Sequence, residues 1–450
     1  MRVNMVNCIG IRQENKYPDE RRAPLTPKQV QTLIEQHNIE IIAVPSKNRV
    51  FTEREYEQVG AKISPDLSDC NIILGVKEIP PDDFLANHNY LFFSHTIGGH
   101  SSNMPMLKQA LDLNTTILDY ELIKTDKGRR IVFFGRYAGF AGMIDSLWAI
   151  GQRLLWEGID NPFKEIRQAC DYENLDEAQA MIKHIGKQIQ REGLPNQLVP
   201  FICVFTGQGN VSKGAQKIFN LLPIVKMHPD ELYGFFNTGK YSNGALYSIE
   251  FRQNHLFGPK DVEQSFDWYH LHRHPERYTN QFENFVPYLT MIINGINWDT
   301  RFPRLVTKSY LKSFYQFNPN PRLRVIGDIT CDVEGSIEAT VKTTDSSNPV
   351  YVYNPFTEDI ADGCAGIGPV IMAIDILPSE LPRDASRGFG NALLPFIPAL
   401  ARADFNVAYE ELNLPPELHK AIIIHRGKLT ERYKHLESRV QLRDKPTGSD

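Results

Sequence analysis

The chain has 450 residues, of which 42% are hydrophobic and 23% charged, with a net charge of −5; this is the composition of a soluble globular protein large enough for more than one domain. No basic excess is available to hold a phosphate backbone, which argues against nucleic acid as a partner. No apolar run approaches the roughly 18 residues needed to span a bilayer, so no membrane partner is expected either.

The N-terminus, "MRVNMVNCIGIRQE", lacks the apolar core of a signal peptide and reads as a first strand. Six cysteines (Cys8, Cys70, Cys170, Cys203, Cys331, Cys364) contain no CxxC pair, so neither a zinc site nor a disulfide framework is indicated and a cytoplasmic location is expected. Short apolar runs follow in order, "NCIGIRQ", "IEIIAVP", "CNIILGVK", "NYLFFSH" and "TTILDYEL", with amphipathic stretches at Pro27 to Gln36 and Met104 to Leu113. That alternation predicts an α/β fold of βαβ units around mostly parallel sheets. A long helix is predicted from about Gly139, then a polar helical region from Phe163 to Glu192, and a second sheet begins at "LVPFICVFTGQGNVSKGAQKIFNLLP". Runs at Tyr288 to Ile296, Leu323 to Asp328 and Val370 to Ile376 extend one sheet or the other.

In the second sheet an apolar strand runs into Gly207, Gln208 and Gly209, and an amphipathic helix follows. In a dinucleotide fold the first glycine permits the tight turn, the second lets the backbone approach the pyrophosphate, and the helix N-terminus receives it. Gly207, Gly209, Asn210, Val211, Ser212 and Gly214 are therefore the cofactor-binding candidates, with Ser212 where the third glycine of the pattern would stand. An acidic partner for the ribose is expected about 20 residues on. There "LPIVKMHPDEL" offers Lys226 and His228 before Asp230, which tilts the expectation toward NADP(H) over NAD(H).

Ligands of open α/β sheets bind beyond the carboxyl ends of the strands. Those positions hold Lys77, His95, Glu121 and Asp332, while Arg22 lies on the loop after the first strand. A lysine with a histidine can run proton transfers when burial and neighbours bring them near neutrality. Each residue has a bland alternative: a solvated Lys77, a hydrogen-bonded strand-end His95, Arg22 and Arg130 paired with Asp19 or Glu20, and Asp332 or Glu338 capping a helix. The histidines of "HLHRHPERY" lack a cysteine neighbour or HExxH spacing, and no metal is expected.

Ten segments, "IGIRQE…ERRAPLTP", "GVKEIP", "FFSHTI…NMPML", "LDYELI", "GRR" with "GRYAGFAGMID", "GQGNVSKGAQKIFNLLP", "HPERYTNQF", "INGINWDTRFPRL", "DITCDVEGSIE" and "LPSELPRDAS", together resemble the lysine-ketoglutarate reductase half of the bifunctional aminoadipic semialdehyde synthases. More distantly they resemble saccharopine dehydrogenase (lysine-forming) and alanine dehydrogenase. The resemblance implies two Rossmann-like domains with an active-site cleft between them: residues 1–138 plus about 340–450 for substrate, and about 139–339 for the dinucleotide. It implies NAD(P)H-dependent reductive condensation of L-lysine with 2-oxoglutarate to saccharopine. Lys77 and His95 would be the proton-transfer groups, Arg22 and Arg130 would hold 2-oxo acid carboxylates, and Glu121 would tune the site. Asp332 would steady an iminium charge, and Asn294 and Gly295 would join the cofactor site.

The family lysine that follows the histidine is here Gly98. The alternatives are an alanine dehydrogenase-like amino-acid oxidoreductase and a non-catalytic nucleotide-sensing homologue. With the chain ending at Asp450, a stand-alone reductase or a separate saccharopine-oxidising partner is expected; homo-oligomers remain open.

Overall fold

The computed structural model describes residues 7–318 and 320–441. The chain divides into two compact units, residues 1–134 with 382–450, and residues 135–381.

In the first unit the strands are β1 (Cys8–Ile11), β2 (Glu40–Ala43), β3 (Lys62–Ile63), β4 (Ile72–Leu74), β5 (Asn89–Phe92) and β6 (Thr116–Asp119), joined after the chain returns by two more at Ile422–His425 and Lys428–Leu429. Strands β1 to β6 pair in parallel in the order β6-β5-β4-β1-β2-β3, and the two returning strands add antiparallel at the β6 edge. The order of the first four strands matters for function: the chain leaves β1 toward β2 and β3, then comes back to lay β4 on its other side. The ends of β1 and β4 are thus the topological switch point, where the loops diverge and leave a crevice. Helices α1 (Pro27–His37) and α2 (Glu53–Glu57) each begin with a capping box, Thr26 with Gln29 and Thr52 with Glu55, which satisfies two otherwise orphaned N–H groups reciprocally. Helix α3 (Met104–Asp112) buries Met104, Met106, Leu107 and Ala110 on one side, the stripe expected of a helix lying on a sheet.

The second unit opens with α4 (Gly135–Trp156), which starts earlier than the sequence suggests, and α5 (Leu175–Glu192). Its strands are β7 (Phe201–Thr206), β8 (Ile224–Met227), β9 (Leu246–Phe251), a separate hairpin of β10 (Phe257–Pro259) and β11 (Tyr278–Asn280), then β12 (Met291–Asn294), β13 (Val325–Asp328), β14 (Val350–Tyr353), β15 (Ile360–Asp362) and β16 (Val370–Met372). The main sheet runs β15-β14-β16-β13-β12-β7-β9-β8, parallel except for β14 and β15. Strand β7 is buried on both faces: Phe201, Cys203 and Phe205 enter the core formed with α4, α5 and α6 (Asn210–Phe219), while Ile202 and Val204 enter the core on the other side. That two-sided burial is why it reads as a continuous apolar run rather than an alternating one.

One boundary differs from the sequence reading. The chain was expected to leave the second unit at about residue 340, with the apolar strands after Gly363 belonging elsewhere. Instead β16 pairs in parallel with β13, Val325 opposite Val370, and the unit runs on to Leu381. An apolar strand buried on both sides goes wherever a sheet edge can take its hydrogen bonds, and residue order alone does not say which edge that is. Among the described residues no helix is long and apolar enough to cross a membrane.

Candidate active site

The switch point of the first unit is built around a buried carboxylate, Glu14. Its two oxygens accept the backbone N–H groups of Val76 (2.7 Å) and Lys77 (2.9 Å), so a side chain from the loop after β1 sets the turn after β4. Burial pushes the Glu14 carboxyl up, against the pull of Arg12 and these two amides. Lys77 is half-buried, with Nζ 5.1 Å from the centre of the Tyr17 ring.

His95 stands beyond the end of β5, the strand that pairs with β4. Its Nδ1 lies 2.8 Å from Oε1 of Glu78, and the same oxygen is 2.9 Å from Nζ of Lys16. Burial alone would raise the Glu78 carboxyl, but His95 and Lys16 outweigh it and hold the group at about 2. The carboxylate is therefore ionised at neutral pH. The His95 backbone has a φ of +47°, a left-handed conformation that costs a residue with a Cβ on the order of 1 kcal/mol or more and persists only where its surroundings impose it.

Glu121 follows β6 and pairs with Arg130, Oε1 to Nη1 2.9 Å. Arg22 is buried, contrary to a surface role: its Nε donates to Oε1 of Glu20 at 2.7 Å, its Nη2 to Oε2, and its guanidinium lies 4.2 Å from the centre of the Phe134 ring. Burial works against the Glu20 charge, yet Arg22 keeps that carboxyl below its ordinary value. A Cβ at Gly98 would lie 2.8 Å from Nε2 of His100, so that imidazole stands where a side chain at this position would begin.

The switch point of the second unit lies between β7 and β12, and the glycine loop occupies it. Gly207 has a φ of +81°, and a Cβ there would strike the Gly295 carbonyl oxygen at 2.8 Å; only glycine serves both the turn and the approach. A Cβ at Gly209 would point into open space, and no side chain caps α6. An uncapped helix N-terminus behind a backbone without side chains fits a pyrophosphate. Gly214 lets α6 lie on α4: a Cβ there would come within 2.3 Å of the Arg136 carbonyl oxygen, and one at Gly139 within 2.0 Å of that of Val211. Ser212 and Val211 follow in the first turn of the same helix.

Asn294 ends β12 fully buried, accepting from Thr206 Oγ1 at 2.6 Å and donating to Asp328 Oδ1 and Ser336 Oγ, both at 2.8 Å. Its amide ties three strand ends together, which leaves the Gly295 peptide as the part of this pair facing the glycine loop. Asp332 sits exposed on the loop after β13. It caps no helix, whereas Glu338 accepts the Lys308 N–H at 2.9 Å at the start of the helix Lys308–Phe317.

The strand beside β7 is β9, not β8. The carboxylate next to the glycine loop is therefore Glu250, near the end of β9, whose Oε1 accepts from Gln208 Nε2 and whose Oε2 accepts from Gln216 Nε2, each at 3.1 Å. Looking for an acid after β8 missed it because the strand next in sequence is the outer one in space.

Of the histidines in "HLHRHPERY", the rings of His270 and His274 lie 5.1 Å apart, but His270 bonds Tyr278, His274 lies beside Glu276, and His272 bonds Gln253. Among the described residues His228, Asp230 and His255 have the spacing of metal ligands. However, Nδ1 of His255 accepts the Arg252 N–H at 3.2 Å, which in the neutral ring puts the proton on Nε2 and leaves no free lone pair.

Two family models match, the N-terminal domain of alanine dehydrogenase/PNT over residues 10–141 and its C-terminal domain over residues 256–432. The chain belongs to the alanine dehydrogenase/PNT family. An alpha-aminoadipic semialdehyde synthase of Arabidopsis thaliana is 37% identical over 95% of this chain, and the chain spans 41% of that relative's length. A saccharopine dehydrogenase [NAD(+), L-lysine-forming] of Candida albicans is 28% identical, covering 88% of this chain and 92% of its own. The solved structure of an L-alanine dehydrogenase superposes with a TM-score of 0.60 at 18% identity, over 96% of this chain and 99% of that one, a likeness of fold. Membership accounts for the two mostly parallel sheets, each with a switch point in its strand order, and for a nicotinamide dinucleotide as the family's cofactor.

Proposed function

We propose that this chain is a nicotinamide-dinucleotide-dependent oxidoreductase that condenses L-lysine with 2-oxoglutarate and reduces the resulting imine to saccharopine. The observation that carries the reading is that adjacent parallel strands end in Lys77 and in a histidine ion-paired to a buried-side carboxylate, His95 with Glu78. The names of the relatives, aminoadipic semialdehyde synthase and lysine-forming saccharopine dehydrogenase, point to the same substrates.

In this reaction the substrate amine attacks the ketone carbon, water leaves, and the imine carbon is reduced. The amine must lose protons and the departing hydroxyl must gain one, so two proton-transfer groups are needed. Lys77, set by Glu14, and His95, held by Glu78, take these roles. Arg130 offers a planar guanidinium to a carboxylate of the oxo acid, with Glu121 fixing its orientation, and Arg22 adds a second guanidinium. Asp332 offers a negative charge to an iminium. Gly207, Gly209, Asn210, Val211, Ser212, Gly214 and Gly295 would hold the dinucleotide, which when bound supplies the hydride.

Glu250 favours NAD(H). A carboxylate beside the glycine loop accepts the ribose hydroxyls and repels a 2′-phosphate; the tilt toward NADP(H) rested on Lys226 and His228, in and just after β8, standing before Asp230.

The test is oxidation of NADH and of NADPH by the purified chain with 2-oxoglutarate or other 2-oxo acids, in the presence of lysine or of ammonia. Turnover that requires lysine is the expected result. Turnover with ammonia alone would make the chain an alanine dehydrogenase-like enzyme, and none under any pairing would make it a non-catalytic homologue.

A further inference from the structure

The backbone of His95 is left-handed, and the residues on either side of it are tied to one buried side chain on the neighbouring strand. Asp119 is the last residue of β6 and is fully buried. Its Oδ2 accepts both the backbone N–H of Ser94 at 3.0 Å and the Ser94 hydroxyl at 2.5 Å. Ser94 Oγ in turn lies 2.8 Å from the hydroxyl of Thr96. With Ser94 donating to the carboxylate, Thr96 donates to Ser94, so a two-hydroxyl chain spans His95 from the residue before it to the residue after it. All three side chains are buried. On the far side of the turn Asn103 Nδ2 donates to the His95 carbonyl at 3.0 Å. The other carboxylate oxygen of Asp119, Oδ1, accepts the Glu121 N–H at 2.8 Å.

We infer that Asp119 is a positioning residue that imposes the left-handed turn at His95, through Ser94 and Thr96, and sets the Glu121 peptide with its other oxygen. One carboxylate thereby holds two of the groups assigned to the reaction in fixed orientation, His95 toward Glu78 and Glu121 toward Arg130. The reason is geometric. Within "SHT" the Thr96 N–H approaches Ser94 Oγ at 3.4 Å and the two hydroxyls lie 2.8 Å apart, closing the turn around His95, and Asp119 anchors that turn by fixing Ser94. The two bonds from Ser94 to Asp119 hold the anchored end of this turn in place. The inference rests on the functional reading above only where turnover is measured.

The experiment uses the full chain with ¹⁵N-labelled histidine and follows the proton shared between His95 Nδ1 and Glu78, assigned by its loss in His95→Gln. Asp119→Asn keeps the shape of the side chain but replaces an acceptor with a donor; Ser94→Ala cuts the hydroxyl chain and leaves the carboxylate; Ser94→Thr keeps a hydroxyl. The expected result is that the signal is lost or broadened in Asp119→Asn and Ser94→Ala and returns in Ser94→Thr. In the same variants kcat should fall about 10- to 100-fold, the cost of a displacement of about 1 Å at a reacting group, while KM for the amine changes much less. If Asp119→Asn does not fold, Ser94→Ala decides. An unchanged signal in folded Ser94→Ala overturns the inference. Absence of any turnover in the wild-type chain would overturn the functional reading instead, and the histidine signal would still decide the positioning role.

Discussion

Oε1 of Glu78 lies 2.8 Å from Nδ1 of His95 and 2.9 Å from Nζ of Lys16, so one carboxylate oxygen gathers a histidine from the end of β5 and a lysine from the loop after β1. The Glu78 carboxyl is depressed from 4.5 to about 2, so the unfolded chain binds its proton first as pH falls. The stabilisation is present in full above about 4.5 and is lost progressively as pH drops toward about 2. Denaturant unfolding at a series of pH values should show a steeper acid decline for the wild type than for Glu78→Gln; parallel curves would mean that the ion pair contributes nothing to stability.

Replacing Lys77 by Met or His95 by Gln removes a proton-transfer group without removing a strand or a core residue. Each change should lower turnover by about two to four orders of magnitude with the circular dichroism spectrum unaltered. A variant that turns over as the wild type does takes that residue out of the mechanism.

Glu250 should decide between the two cofactors. The ratio of kcat/KM for NADH to that for NADPH is expected to exceed one in the wild type. It should fall about tenfold or more in Glu250→Gln, the worth of one charged hydrogen bond of about 1.5–3 kcal/mol. If the wild type prefers NADPH, the carboxylate beside Gln208 does not face the ribose.

Packing of α4 on α6 leaves no room for a methyl group at Gly139 or Gly214, where a Cβ would sit 2.0 Å and 2.3 Å from backbone carbonyl oxygens. Neither obstacle is a flexible side chain that can swing aside. Alanine at either position should cost at least about 1–3 kcal/mol, read as a lower thermal midpoint, and dinucleotide affinity should fall with it because α6 carries the first turn after the glycine loop. Alanine at Gly209, which faces open space, should leave the midpoint nearly unchanged and weaken only dinucleotide binding.

Much of this protein is legible in its residue order. Apolar runs of strand length separated by amphipathic stretches specify an α/β chain, because burial on two faces demands continuous hydrophobicity. A glycine pair between a strand and a helix marks its own place, since the turn and its positive φ are local. Lys77 and His95 are visible for a similar reason: a charged residue just past an apolar run lies at a strand end wherever that strand goes. What sits beside them is not local. That β9 rather than β8 neighbours β7, that the chain returns at Pro382 rather than near residue 340, and that Glu14, Glu78 and Asp119 reach across to the turns after β4 and β5 all depend on strand order. Hydrogen bonds of this kind join residues far apart in sequence, and many strand orders satisfy the same periodicity. The order that buries the cores is chosen by the tertiary structure, and with it the partners that surround Lys77 and His95.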